Sequence, residues 1–514
     1  MKRGLPAREV REDRQEFSSF ERAFSKWKSN VLAGFVCPCG RFKSVLSLGK
    51  ALSIKLAKSI EHSAFLGGAS PTSSQEIPAN WQALLEYLHK KEIIEAPRFY
   101  TYTSPSDGRK ENLLLLLARD ITHKTDGRKV DPHGFGTASS LEEAMSKAVG
   151  EVLERYFLTL YRRETFSTSS CASLLKEKKH FLDPVSLNSF LPWQKEASPD
   201  FLWNSDTLFC WVKGEELIGK ETVHIPAQLV YWNYRCEEGE PLLVGPTTSG
   251  SAGHFSRSEA ILASLLENIE RDGFLIYWLN SLSPNIIDVS LVEDEEVKEL
   301  LAYIQHYRLE VFFLNITTDI GIPSCICAIV DRTGDTSSIS LGGAAGFDLT
   351  ELIMHSASEA LSIHASADKE EGYVLPEPYA PFTDATIRKK KRLHVWKGRK
   401  MYERFKFFIS GKKQDPASFM QGVDRFRSSE ERLGYIYTRF AELGEEYKIY
   451  CYEVKDAVLS ALGYHVVRTI VPPLVPLYLN ERFATLDAKR LRDVPHKLGY
   501  TPTGNMNPWP HPFS

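Results

Sequence analysis

Several things are scarce in this chain, and each scarcity closes a class of function. Cysteine is sparse, 8 in 514 residues, with no Cys-x-x-Cys. Its two Cys-x-Cys pairs, at Cys37 and Cys325, have no partner at zinc-ribbon spacing, which argues against a structural zinc. No Gly-x-Ser-x-Gly elbow occurs, so His254, Ser256 and Glu259 make no recognisable hydrolase triad. Long apolar runs are missing too: the most apolar short stretch is Leu113 to Ala118, far too brief to cross a bilayer. The start, MKRGLPAREVREDRQEF, has no apolar core for a signal peptide. Net charge is only -3, which gives no footing for general nucleic-acid binding. The expectation is a cytoplasmic protein that binds neither membrane nor nucleic acid.

What the chain does have is a repeated acidic pattern. The stretch SGSAGHFSRSEAILASLLENIERDGFLIYW carries Glu259, Glu267, Glu270 and Arg271 after a glycine-bearing loop. At helical spacing these four share one face, while Ile261, Leu265 and Ile269 line the other. Upstream, GFGTASSLEEAMSKAVGEVLERYF sets Glu143, Glu151, Glu154 and Arg155 in the same register, Glu-x7-Glu-x2-Glu-Arg. A third copy, LGGAAGFDLTELIMHSASEALSIH, keeps Glu351 and Glu359, but Ser362 and Ile363 replace the last Glu and the Arg. A lone acidic helix face is usually a solvated surface, but three loop–helix units suggest helices converging on one site.

Carboxylates gathered on packed helices suit a hard cation. Mg²⁺ takes oxygen ligands and is held by a few carboxylates together with nucleotide phosphates. Arginines beside paired glutamates can hold those carboxylates and fork onto phosphate oxygens. Glycines such as Gly134, Gly136 and Gly253 would let backbone N–H groups approach an anion near a helix start. The strand, loop and helix signals recur along the chain, so the fold class expected is mixed α/β, with sheets carrying the helices.

These two strong segments resemble the paired nucleotide-binding motifs of the YcaO family, and GYHVVRTIVPPLVPL with the tail NPWPHPFS resembles its azoline-forming branch. That branch holds the stand-alone D-proteins of thiazole/oxazole-modified microcin synthesis. The resemblance runs from about Pro97 to the C-terminus. It implies a YcaO-type α+β fold and an ATP- and Mg²⁺-dependent peptide cyclodehydratase, forming thiazoline or oxazoline at Cys, Ser or Thr of a precursor peptide. The metal ligands it implies are Glu151, Glu154, Glu267 and Glu270; Gly134, Gly136, Arg155, Gly253, Glu259, Arg271 and Glu359 would bind the nucleotide. Pro508, Pro510, Pro512 and Ser514 of the tail would serve catalysis, and removing the tail should stop ring formation while sparing ATP binding. The partners implied are the precursor peptide, a leader-binding protein resembling ubiquitin-activating enzymes and a flavin-dependent azoline dehydrogenase, with the chain itself a homodimer. Rival readings are thioamide or amidine formation, and a non-catalytic nucleotide-binding scaffold.

The chain departs from the family pattern at Phe135 between the first glycines, Lys147 before the first Glu pair, Ser362 and His364 in the third unit, and Phe513 and Ser514 after the proline triplet. Residues 1–75 read as a helical extension and residues 76–514 as the catalytic domain. The basic run from Arg388 to Arg392, continuing through Lys397, reads as a solvated loop.

Overall fold

The computed structural model describes residues 79–513, apart from 96–97, 104–109, 119–120, 126–129, 131, 139–140, 199–200, 333–337, 368–372, 384–388 and 398. The helical extension expected over residues 1–75, and Ser514, lie outside the described residues.

After α1 (Ala79–Lys90), an antiparallel sheet of β1 (Arg98–Thr103), β2 (Lys110–Leu117) and β3 (His133–Ala138) leads into α2 (Leu141–Thr159). A second sheet begins with β4 (Ser167–Ser170), β5 (Leu208–Glu216), β6 (Glu221–Pro226) and β7 (Ser251–His254), the last leading into α3 (Arg257–Leu279). A third sheet runs in the order β11-β10-β9-β8-β12, formed by β8 (Asn285–Ile287), β9 (Glu310–Asn315), β10 (Ser324–Asp331), β11 (Ser338–Ala345) and β12 (Lys413–Gln414). Helix α4 (Glu295–His306) lies between β8 and β9 in the chain, and α5 (Leu349–Ala367) follows β11. Late in the chain β13 (Tyr450–Glu453) and β14 (His465–Ile470) rejoin the second sheet, giving β4-β5-β13-β14-β7 with β6 beside β5.

Three units thus run strand to helix: β3–α2, β7–α3 and β11–α5. The segments expected to be glycine loops are strands, and the reason is packing. A Cβ on Gly134 would overlap Ala148 O and stand 2.6 Å from Val152 N, and one on Gly136 would overlap Ala144 O, so these glycines bring β3 onto the backbone of α2. Gly342 stands the same way against Ser356 O and Ala360 N of α5. Gly253 makes room for the Tyr464 ring. Close approach accounts for these glycines without any ligand.

Helix α3 is the centre of the molecule. From Ile269 to Leu279 every residue is buried, as expected of a helix enclosed all round. Its N-terminus is capped by Ser256, whose hydroxyl accepts from Glu259 N–H, while His254 Nδ1 accepts from Ser256 N–H. Capping, not nucleophilic chemistry, explains that Ser–His pair. A helix at Lys489–Lys497 is tied to α3 by Arg490, which grips Asp272 through Nε at 2.9 Å and Nη2 at 2.7 Å.

The basic run differs from expectation. Residues 389–395 form a helix, Lys397 is buried, and Arg392 is wholly buried, 2.8 Å from the equally buried Glu481. Pairing with a carboxylate distant in sequence is what permits such burial.

The tail also enters the core. Asn507 N–H donates to Leu279 O at 2.7 Å, Trp278 Nε1 to Trp509 O at 3.2 Å, and Trp396 Nε1 to Pro510 O at 2.9 Å. His511 Nε2 bonds Tyr478 O at 2.8 Å, and Pro510 through Phe513 are buried. Prolines withhold backbone donors, so an extended segment can be buried with few N–H groups left to satisfy.

Candidate functional site

Carboxylates of α2, α3 and α5 lie close enough to act on one another in pairs, Glu267 of α3 on Glu154 of α2 and Glu359 of α5 on Glu270 of α3. On α2, Glu151 is held by Arg155 at 2.7 Å, and Arg155 Nη1 also donates to His133 O at 2.9 Å. Glu154 accepts from the Ser251 hydroxyl of β7 at 2.8 Å, which joins the first unit to the second. Glu154 is only half-buried by surface, yet protein surrounds it closely. Burial pushes its carboxyl up to about 8, the Ser251 bond opposes this, and Glu267 and Glu151 add to it.

On α3, Glu267 accepts from Gly250 N–H at 3.1 Å and from Arg271 Nη2 at 3.2 Å. Gly250 has φ +76 and no room for a Cβ beside Asn268, so only glycine suits that turn. Glu270 is buried and lies 2.8 Å from Arg271 Nη1. Burial pushes Glu270 up to about 8; Arg271 opposes the rise, and Glu359 and Glu267 reinforce it. From α5, Glu359 accepts from Gly343 N–H at 2.8 Å. Burial would lower the Arg271 guanidinium, but Glu270, Glu267 and Glu359 together hold it above its ordinary value.

Glu259 stands elsewhere. Its charge acts on His254 and on Glu351, at the starts of α3 and α5, and two helical turns separate it from Glu267, roughly 12 Å along the axis. Glu143 lies in the first turn of α2. Gly134, Gly136 and Gly253 face protein, as described above. The third unit ends with His364, 3.6 Å from Asp331, in place of an arginine.

Four neighbours of this cluster lie in the quoted stretches but were given no role in the site from sequence. Ser251 links two units. Arg468 of β14 is 5% exposed, burial pulls it down to about 10, and Glu267 and Glu154 oppose that pull. Asn268 is anchored to Thr469 O at 3.0 Å. Phe513 lays its ring 4.2 Å from the Arg271 guanidinium. Arg468 lies inside a quoted motif, but its burial depends on strand pairing that one sequence does not display.

A cavity of about 540 Å³ reaches this cluster at Ser249, Asn268, Arg271 and Arg468, with Pro472 and Leu474 on another wall. The donor set fits a divalent cation with a polyanion. Burial, with neighbouring carboxylates adding to it, favours the protonated forms of Glu154 and Glu270, and a cation would favour the ionised forms. Arg271 Nε is buried without a hydrogen-bond partner, while Arg271 Nη1 and Glu270 Oε1 are buried against each other at 2.8 Å. Among the described residues no three His, Cys, Asp or Glu converge as a ready cage. A cation here would complete its shell with water or phosphate oxygen.

Comparison with known proteins finds relatives in sequence and in fold. An uncharacterized protein of Methanothermobacter thermautotrophicus is 26% identical over 234 residues, 45% of this chain and 57% of that relative. One from the tfuA 3' region of Rhizobium leguminosarum bv. trifolii is 29% identical over 123 residues, 23% of this chain and 29% of its own length. Among solved structures, a heterocyclase in complex with substrate and cofactor superposes with a TM-score of 0.64 at 19% identity, covering 89% of this chain and 60% of that one. The heterocyclase TruD gives 0.54 at 17% identity, over 90% and 71%. YcaO from Methanopyrus kandleri, bound with AMPPCP and Mg²⁺, gives 0.51 at 16% identity, over 79% and 93%. The fold is therefore the mixed α+β fold of these proteins. The family model described as YcaO cyclodehydratase, ATP- and Mg²⁺-binding, matches residues 135–475, two-thirds of the sequence, and the chain belongs to the YcaO family.

Proposed function

We propose that this chain is an ATP- and Mg²⁺-dependent cyclodehydratase that forms thiazoline or oxazoline rings in a ribosomally made precursor peptide, with residues 76–514 as its catalytic domain. One observation carries the reading: the proline-patterned tail is drawn through the core and brings Phe513 onto Arg271, beside Glu267 and Glu270 of α3 and within the field of Glu359 of α5. A loose terminus would not be buried there.

Glu151, Glu154, Glu267 and Glu270 would hold the cation. Arg155, Arg271 and Glu359 would orient the nucleotide, with Glu259 near its far end. Bound Mg²⁺·ATP supplies an electrophilic phosphorus that turns an amide oxygen into a leaving group. The residues do the positioning. Gly250 N–H and Arg271 fix Glu267, Arg155 fixes Glu151, and Gly343 N–H fixes Glu359, so carboxylate geometry is set beforehand. Burial favours the protonated forms of Glu154 and Glu270 in the ligand-free chain, which limits the repulsion among neighbouring carboxylates, and with a cation bound both would serve as ionised ligands. The tail, half-buried at Pro508 and buried from Pro510 to Pro512, would with Ser514 serve catalysis by walling off water and offering few N–H groups to compete for the peptide carbonyl.

A leader-binding protein and a flavin-dependent dehydrogenase belong to this reading as partners, and the cytoplasm as its compartment. No helix among the described residues is long and apolar enough to cross a membrane. The full chain with Mg²⁺·ATP tests the proposal: phosphate release should rise several-fold on adding a Cys-rich candidate peptide and disappear in Glu267→Gln. Release indifferent to every peptide would favour the non-catalytic scaffold.

A further inference from the structure

The tail of this chain runs two residues past its proline triplet, and the first of them, Phe513, is fully buried. Its ring stands 4.2 Å from the Arg271 guanidinium and 4.9 Å from the Phe274 ring. Gly343 opens the space it shares with Glu270: a Cβ there would lie 2.6 Å from Glu270 Cδ and 2.9 Å from Phe513 Cζ. Arg271 is itself 9% exposed, borders the 540 Å³ cavity, and keeps Nε without a hydrogen-bond partner while Nη1 lies 2.8 Å from Glu270 Oε1.

A guanidinium hydrogen-bonds in its plane and meets an aromatic ring through its face. Phe513 therefore fixes the plane of Arg271 while competing for none of its donors. Those donors stay directed among Glu267, Glu270 and the cavity. The chain before Phe513 is anchored through the Trp509 and Pro510 carbonyls and the His511 imidazole, which sets where its ring enters.

We propose that Phe513 is a positioning residue for nucleotide binding: by stacking on Arg271 it aims that arginine at the nucleotide's phosphates, so the tail sets ATP affinity as well as cyclisation. The inference rests on the proposed function in taking Arg271 as a phosphate contact. It revises the expectation that removing the tail spares ATP binding.

The test is calorimetric titration of the full chain with Mg²⁺·AMPPCP, no peptide present. Phe513→Leu keeps most of the volume and removes the π face, and should weaken binding roughly tenfold, the scale of a desolvated cation–π contact. Phe513→Tyr, which keeps the ring, should bind within about twofold of the parent. In an Arg271→Gln background the Phe513→Leu effect should vanish, which a merely structural role would not produce. Thermal midpoints of each variant separate misfolding from weakened binding. Unchanged or tighter binding by Phe513→Leu overturns the inference, as does an equal loss in the Arg271→Gln background. A parent chain that binds no nucleotide overturns the proposed function along with it.

Discussion

Adding one methyl group at each of three neighbouring glycines should give three different outcomes. Gly342 and Gly343 are consecutive in β11, so their missing side chains point to opposite faces of the sheet. At Gly342 a Cβ would overlap Ser356 O, with Ala360 N at 2.5 Å and Glu359 Cβ at 2.7 Å. Helix backbone cannot yield without lifting α5 off the sheet, so Gly342→Ala should cost about 3 kcal/mol, the upper end of ordinary overpacking. At Gly343 the neighbours are the ends of Glu270 and Phe513, which can swing aside. Gly343→Ala should therefore cost only about 1 kcal/mol of stability. The groups that move are those at the centre of the site, so Mg²⁺·AMPPCP affinity should fall at least about tenfold. Gly346→Ala meets nothing closer than Leu352 Cδ2 at 3.6 Å and should be neutral in both respects. Denaturation midpoints and calorimetric titrations on the three variants read these outcomes. A Gly343→Ala protein that binds nucleotide as Gly346→Ala does, or is less stable than Gly342→Ala, would refute the reasoning.

Glu267→Gln and Glu151→Gln each remove a negative oxygen while keeping shape, and should weaken Mg²⁺–nucleotide binding by about tenfold or more with the fold intact; unchanged affinity in both would remove the metal assignment. Glu154 and Glu270 titrate near 8 in the folded chain against about 4.3 unfolded, so the folded state holds more protons and the ligand-free chain should lose stability as pH rises toward 8. Because a cation needs both carboxylates ionised, titrations near neutrality should release about two protons, visible as heats that differ between buffers of unlike ionisation enthalpy; identical heats would contradict the shifts. Arg392→Met strands Glu481 in the core and should cost roughly 3–5 kcal/mol by chemical denaturation, most of it recovered by Arg392→Met with Glu481→Leu; a single variant as stable as the parent would show the pair to be dispensable.

The acidic helices were legible because helical periodicity and a doubled spacing are local signals. Glu151, Glu154, Glu267 and Glu270 could be named from register alone, and Glu359 from the weaker third copy. The glycines were harder to read. Gly134 and Gly342 look like phosphate-cradling loops in sequence, yet each is a strand residue whose Cβ space is taken by helix backbone across the unit. Arg392 looked solvated because its partner, Glu481, is distant in sequence and no local pattern links them. Arg468 and Ser251 join the cluster only through pairing of β14 with β7. The tail's stiffness was legible from its prolines; the burial of Phe513 against Arg271 depends on Trp278, Trp396 and Tyr478, which come from three other parts of the chain.

The most direct measurement of the central claim is the mass of a candidate precursor peptide after incubation with the full chain, its leader-binding partner and Mg²⁺·ATP. The account predicts the loss of one water for each ring formed, with one phosphate released per water and neither change in Glu267→Gln. A peptide that exchanges oxygen for sulfur, or keeps its mass while phosphate is released, would contradict it.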